Sequence, residues 1–116
     1  MPNKKIAKKT SKKLAQIVIT ALEDLKATNV IVIPVQKLTA ITDFMIIASG
    51  TSNRHLNALA ADVVEAAKAA NYPVLSTEGE KTGEWVLVDL DDVIVHIMLP
   101  PVRTFYNLEA LWQVEE

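Results

Sequence analysis

The stretch Gly83–Met98 breaks the alternation expected of a strand with one wet face. Two β-rich apolar runs, Glu84–Leu90 and Val93–Leu99, flank the acidic pair Asp91-Asp92. Such runs joined by a short acidic turn predict a β-hairpin. Because they hardly alternate, both faces of the hairpin are expected to be covered. The exceptions are Trp85 at one end, Asp89 near the turn and His96 inside the second strand. These three residues are the first candidates for function.

The rest of the chain fills in around this hairpin. Residues up to about Lys9 read as disordered, and Thr10 or Ser11 can cap a first helix. Leu14, Ile17, Val18, Ala21, Leu22 and Leu25 form a continuous helical stripe, which Asn29 ends. Val30–Val35 is a short strand, Lys37–Thr42 a loop, and Asp43–Ser49 a nearly all-apolar strand suited to the centre of a sheet. Leu56, Leu59, Ala60, Val63, Val64 and Ala67 repeat the helical spacing, capped by Ser52 or Asn53 and closing near Ala70-Asn71. Tyr72–Ser76 reads as a third strand and Thr77–Gly83 as a polar turn. Pro100-Pro101 stops the last strand, and Arg103–Val114 reads as a final helix with Phe105, Leu108, Leu111 and Trp112 on one side. The order αββαβββα predicts an α/β or α+β domain: a mixed sheet of about five strands covered by helices. Strand, helix and strand over 43–76 predict a parallel crossover with the hairpin added beside it.

Composition narrows the chemistry. A chain of 116 residues fits one domain, expected over 11–116 behind a flexible basic arm at 1–10. There is no cysteine, which excludes disulfides, thiolate metal sites and Cys nucleophiles. Neither a membrane-length apolar run nor a secretory signal is present. Charge is uneven: Lys4, Lys5, Lys8, Lys9, Lys12 and Lys13 supply half of the 12 basic residues, whereas all 14 acidic ones follow Leu14. A basic arm on an acidic body suggests contact with phosphate by the arm alone, although a solvated terminus has the same composition.

Four constellations can carry chemistry. Gly50, Thr51 and Ser52 join a strand to a helix with Arg54 close behind, a geometry that can hold an anion on backbone amides. The turn lacks a Walker lysine and a G-x-G-x-x-G pattern. Asp89, Asp91 and Asp92 can ligate Mg²⁺, and with the Gly50 turn they suggest a nucleotide-binding or nucleotidyltransferase-like enzyme. An acidic pair soon after the Gly turn is missing, however, and a β-turn also explains the aspartates. His96 reads as a core histidine bonded to a carboxylate such as Asp89, or else as a catalytic or pH-sensitive base. Trp85 can fill a core or serve as a protein-binding hot spot, and the sequence leaves both open. A further alternative is general RNA binding through the lysines.

Several patterns agree with one family. The strand–turn–helix from Thr42 to His55, Glu78-Gly79 with Trp85–Leu90, the strand Asp92–Met98, and Arg103, Tyr106, Asn107, Leu108, Glu109, Leu111 and Trp112 all occur in matching order. From about Ser11 to Val114 the chain resembles the ribosomal silencing factor S (Iojap-like) family. The resemblance implies a nucleotidyltransferase-like fold without transferase activity and without a cofactor. It also implies binding to the large ribosomal subunit through its fourteenth protein, blocking small-subunit joining and repressing translation under nutrient limitation. Trp85, Val86 and Leu87 would form the contact face, with Asp89, His96, Arg103, Tyr106 and Glu109 as neighbours or support. Free copies would form homodimers. A bacterial cytoplasm is the expected location, and ribosomal RNA the expected contact of the lysine arm. Asp91 departs from the family's usual Gly, and Pro100-Pro101 stiffens the approach to the last helix.

Overall fold

The computed structural model describes residues 4–112, and the side chains of residues 11–111. Its elements are α1 (Lys4–Asp24), β1 (Thr28–Pro34), β2 (Phe44–Ser49), α2 (Asn53–Ala69), β3 (Ser76–Glu78), β4 (Trp85–Asp89), β5 (Val93–Met98), α3 (Pro100–Tyr106) and α4 (Leu108–Trp112). The five strands form one mixed sheet in the order β1-β2-β5-β4-β3. Only β2 and β5 run parallel; the other neighbours are antiparallel. The hairpin therefore does not sit beside a finished crossover. Its second strand closes the crossover from β2, with β3 and β4 beyond it.

The helical stripes fix the main core. Leu14, Ala15, Val18, Ala21 and Leu22 of α1 and Leu56, Leu59, Ala60, Val63 and Ala67 of α2 are buried together. They meet Phe44, Ile46 and Ala48 of β2, Val86 and Val88 of β4, and Val93, Val95 and Ile97 of β5. Strand parity places all of these on one face of the sheet. The opposite face is covered by a smaller group, Ile33, Val35, Met45 and Ile47, against Leu108. Coverage of this second face stops short of β4, where Trp85, Leu87 and Asp89 stay partly exposed between buried Val86 and Val88. The expectation that the hairpin is buried on both faces thus holds for most of β5 and fails for β4.

Boundaries moved where backbone chemistry overrides pattern. Helix α1 starts at Lys4 rather than at a Thr10 or Ser11 cap; the Lys- and Ala-rich sequence is itself a good helix former. It ends at Asp24, ahead of Asn29, because Lys26 turns left-handed (φ 63°) while Lys26 and Ala27 N–H close onto Glu23 and Leu22 carbonyls. Asn71 ends α2 by the same device (φ 67°). The third strand begins only at Ser76, since Pro73 supplies no N–H to the ladder. The final helix starts at Pro100, where proline suits a first turn, and breaks at Asn107 (φ 48°) into two pieces. The element order is accordingly αββαβββαα.

Asp91 also adopts a left-handed conformation, φ 73°, at the tip of the hairpin. Glycine would take this conformation freely. The aspartate is tolerated because its N–H donates to Asp89 Oδ1 at 2.9 Å, tightening the turn.

Candidate functional site

The open face of the sheet gathers most of the residues singled out from sequence. In register, Trp85 lies opposite Met98, Leu87 opposite His96, and Asp89 opposite Ile94. Trp85 and His96 are therefore diagonal neighbours, within reach for large rings. The indole Nε1–H donates to His96 Nδ1 at 3.0 Å. From the other side, the Tyr106 ring of α3 sits 4.8 Å from the indole, tilted by 49°. Phe105 stands edge-on to Tyr106 at 5.0 Å, with 79% of its surface exposed.

His96 is buried, and that burial brings its imidazole down from 6.5 to about 4. It is neutral at physiological pH and accepts the indole proton. The carboxylate partner expected for it is absent: Asp89 is occupied by the hairpin turn. The polar partner of His96 is thus the Trp85 indole rather than a carboxylate.

A second set of contacts holds α3 and α4 on the sheet. Arg103 is 7% exposed, an unusual burial for a cation. Its Nε donates to Glu109 Oε2 at 3.0 Å and its Nη1 to the buried Ser49 hydroxyl at 2.9 Å. The left-handed break at Asn107 turns the chain back so that Glu109 can reach Arg103. Glu109, Arg103 and Tyr106 therefore form one unit that carries the Tyr106 ring to Trp85.

Glycine completes the frame. A Cβ on Gly79 (φ 91°) would fall 2.1 Å from the Trp85 carbonyl oxygen, and one on Gly83 would meet Asn53 Cβ at 2.8 Å. Both positions exclude any side chain without local rearrangement. A shallow cavity of about 300 Å³ beside the indole is lined by Glu78, Gly79, Thr82, Trp85 and Leu87.

One expected site residue does not belong to this face. Val86 is fully buried among the helix-facing core residues, because successive strand residues point to opposite sides. Conversely, Phe105 is expected on a packing stripe with Leu108, Leu111 and Trp112 rather than at a contact. Only Leu108 packs; Phe105 and Leu111 are exposed. The Pro100 start and the Asn107 break reset the helical phase, and an uninterrupted periodicity cannot reveal that. Trp112 closes α4, and its side chain lies outside the described ones.

Several amides of the Gly50 turn already have partners within the fold. Gly50 N–H donates to the Met98 carbonyl, Thr51 N–H to His55 Nδ1 at 2.9 Å, and His55 N–H to Ser52 Oγ at 3.1 Å. His55 Nε2 in turn reaches the Leu25 carbonyl at 2.7 Å. Arg54 is exposed beside this cap. Nor does the turn meet the aspartates. Gly50 follows Ser49, which pairs with Met98, whereas Asp89 pairs with Ile94. The two groups lie at opposite ends of the sheet, roughly 13 Å apart along the strands at about 3.3 Å per residue. The two groups therefore do not converge on one centre. Among the described residues no cluster of three or more His, Asp or Glu is arranged for a metal ion. Asp92 has its carboxyl raised by partial burial and by the Asp43 and Asp91 charges, and Asp43 itself accepts the Ser11 hydroxyl.

The molecule is thus a small α+β domain that presents a braced aromatic surface on the half-open face of a mixed sheet. Comparison with known proteins places it further. The family model described as "Ribosomal silencing factor during starvation" matches residues 8–116. A ribosomal silencing factor of Chromobacterium violaceum is 46% identical over 99 residues, covering 85% of this chain and 81% of that protein. A crystal structure of a protein from the same organism superposes with a TM-score of 0.86 at 44% identity, covering 90% of this chain and 89% of that one. A mouse protein named "Mitochondrial assembly of ribosomal large subunit protein 1" is 34% identical over 99 residues, 83% of this chain and 43% of that protein. The chain belongs to the ribosomal silencing factor (RsfS) family. The family is named for regulation of the ribosome rather than for a reaction. Among the described residues no helix is long and apolar enough to cross a membrane.

Proposed function

We propose that the chain silences ribosomes by occlusion. Its β4–α3 face binds the large ribosomal subunit through the fourteenth protein of that subunit and blocks joining of the small subunit, so that translation falls when nutrients are short. The observation that carries this reading is the half-open aromatic surface around Trp85, braced by His96, Tyr106 and the Arg103–Glu109 pair. Rigid, partly exposed Trp and Tyr side chains are what protein-binding hot spots are made of. The large-subunit wording in the mouse relative's name and the starvation wording of the family description support the partner and the occasion.

In this reading Trp85 and Leu87 make contact, Asp89 and Phe105 flank them, and the factor performs no catalysis and needs no cofactor. It works in a bacterial cytoplasm. Free copies pair as homodimers. Residues 1–10 act as a basic arm on ribosomal RNA, and 11–116 as the silencing domain. Co-sedimentation with purified large subunits tests the proposal: the chain travels with large subunits and is lost when small subunits are added in excess. Equal binding to joined ribosomes would refute occlusion. The arm is tested by salt, since removing lysine–phosphate contacts lowers the salt dependence of binding.

A further inference from the structure

Tryptophans at protein contacts commonly use the indole N–H as well as the ring. Here that proton is already committed. It points into the molecule, to Nδ1 of a buried histidine. The indole nitrogen only donates, so Nδ1 must be the unprotonated nitrogen and the ring proton must lie on Nε2. A doubly protonated imidazole would set one N–H against another.

His96 is costly at this position. It stands in a row between Ile47 of β2 and Leu87 of β4, where an aliphatic side chain would pack without an unmet polar group. Burying an imidazole there requires a partner, and the partner the structure supplies is a side chain on the exposed surface. Without that bond, Trp85 would be steadied chiefly by Tyr106, which is itself 51% exposed on a short helix. We infer that His96 is a positioning residue: it fixes the rotamer of Trp85 before the partner arrives and turns the indole N–H inward, so that the partner meets only the carbon surface of the ring. Preorganisation of this kind raises affinity by removing the ordering cost of one large side chain from the binding step.

The binding part of this inference rests on the reading of Trp85 as a contact. The test uses full-length His96→Leu and His96→Asn. Asparagine can offer an acceptor near the position of Nδ1, whereas leucine cannot. The Trp85 indole N–H resonance, assigned by its loss in Trp85→Phe, is followed in the free protein. Affinity for purified large subunits is measured on the same samples, with Trp85→Ala in parallel. The expected result is a shifted, faster-exchanging indole proton and about tenfold weaker binding in His96→Leu, both largely restored in His96→Asn. An unchanged indole resonance in His96→Leu would overturn the positioning role whatever the ribosome does. Wild-type affinity in His96→Leu alongside lost binding in Trp85→Ala would overturn its importance for binding. Unimpaired binding by Trp85→Ala would instead refute the contact itself, leaving the resonance to decide the positioning.

Discussion

The two sides of β4 differ by one residue in sequence and by everything in role. Val86 and Val88 point to the helix-covered side, against α2, and are sealed in the main core. Trp85, Leu87 and Asp89 point the other way and are only partly covered. On the helix side the energetics are those of apolar burial, tolerant of chemistry but not of lost volume. On the other side a large aromatic is left partly exposed and steadied by directional contacts: an indole–imidazole bond, a tilted ring and an ion pair behind it. The comparison teaches that one strand can serve both stability and recognition because its period of two separates them.

The comparison can be broken most forcefully at Trp85. Trp85→Ala should weaken large-subunit binding at least about a hundredfold while leaving the far-UV circular dichroism unchanged. Next is Arg103→Met, which strands Glu109 and frees α3 and α4. It should cost about 3–4 kcal/mol in denaturant unfolding and reduce binding through Tyr106, with Arg103→Lys failing to restore the two-point geometry. A third test lowers the pH. His96 is held near 4 in the folded state against 6.5 when unfolded, so between these values the unfolded chain binds more protons. Stability should fall as pH drops from 6.5 to 4, by about 3 kcal/mol, and His96→Leu should flatten that part of the profile. Val86→Ala should cost about 2 kcal/mol of stability, yet each folded molecule should bind large subunits as the wild type does. The smallest effect belongs to Asp91→Gly, which relieves a left-handed aspartate at the hairpin tip and should stabilise by about 0.5 kcal/mol.

Much of this frame was legible in sequence because hydrophobic periodicity reports burial. The stripe on α2 and the strands around Ile46 and Val95 follow directly from spacing. Positions governed by backbone turns were not legible in the same way. Lys26 and Asn107 adopt left-handed conformations that a glycine would have advertised, and Asn107 shifted Phe105 from a predicted packing stripe onto the surface. The family motif, not periodicity, misplaced Val86: it grouped Val86 with Trp85, although strand parity sets Trp85, Leu87 and Asp89 on one face and Val86 on the other. Trp85 was an open choice between core and contact, since a residue's own sequence neighbours do not reveal what covers it from α3. The partner of His96 was misassigned for a related reason: Asp89 is nearby on the strand, but the turn through Asp91 claims its carboxylate.

The most direct test of the account is subunit joining followed by light scattering, with Trp85→Ala and Val86→Ala titrated side by side at equal concentrations of folded protein. The account predicts that Val86→Ala blocks joining as the wild type does and that Trp85→Ala does not. Equal inhibition by both variants, or loss confined to Val86→Ala, would contradict it.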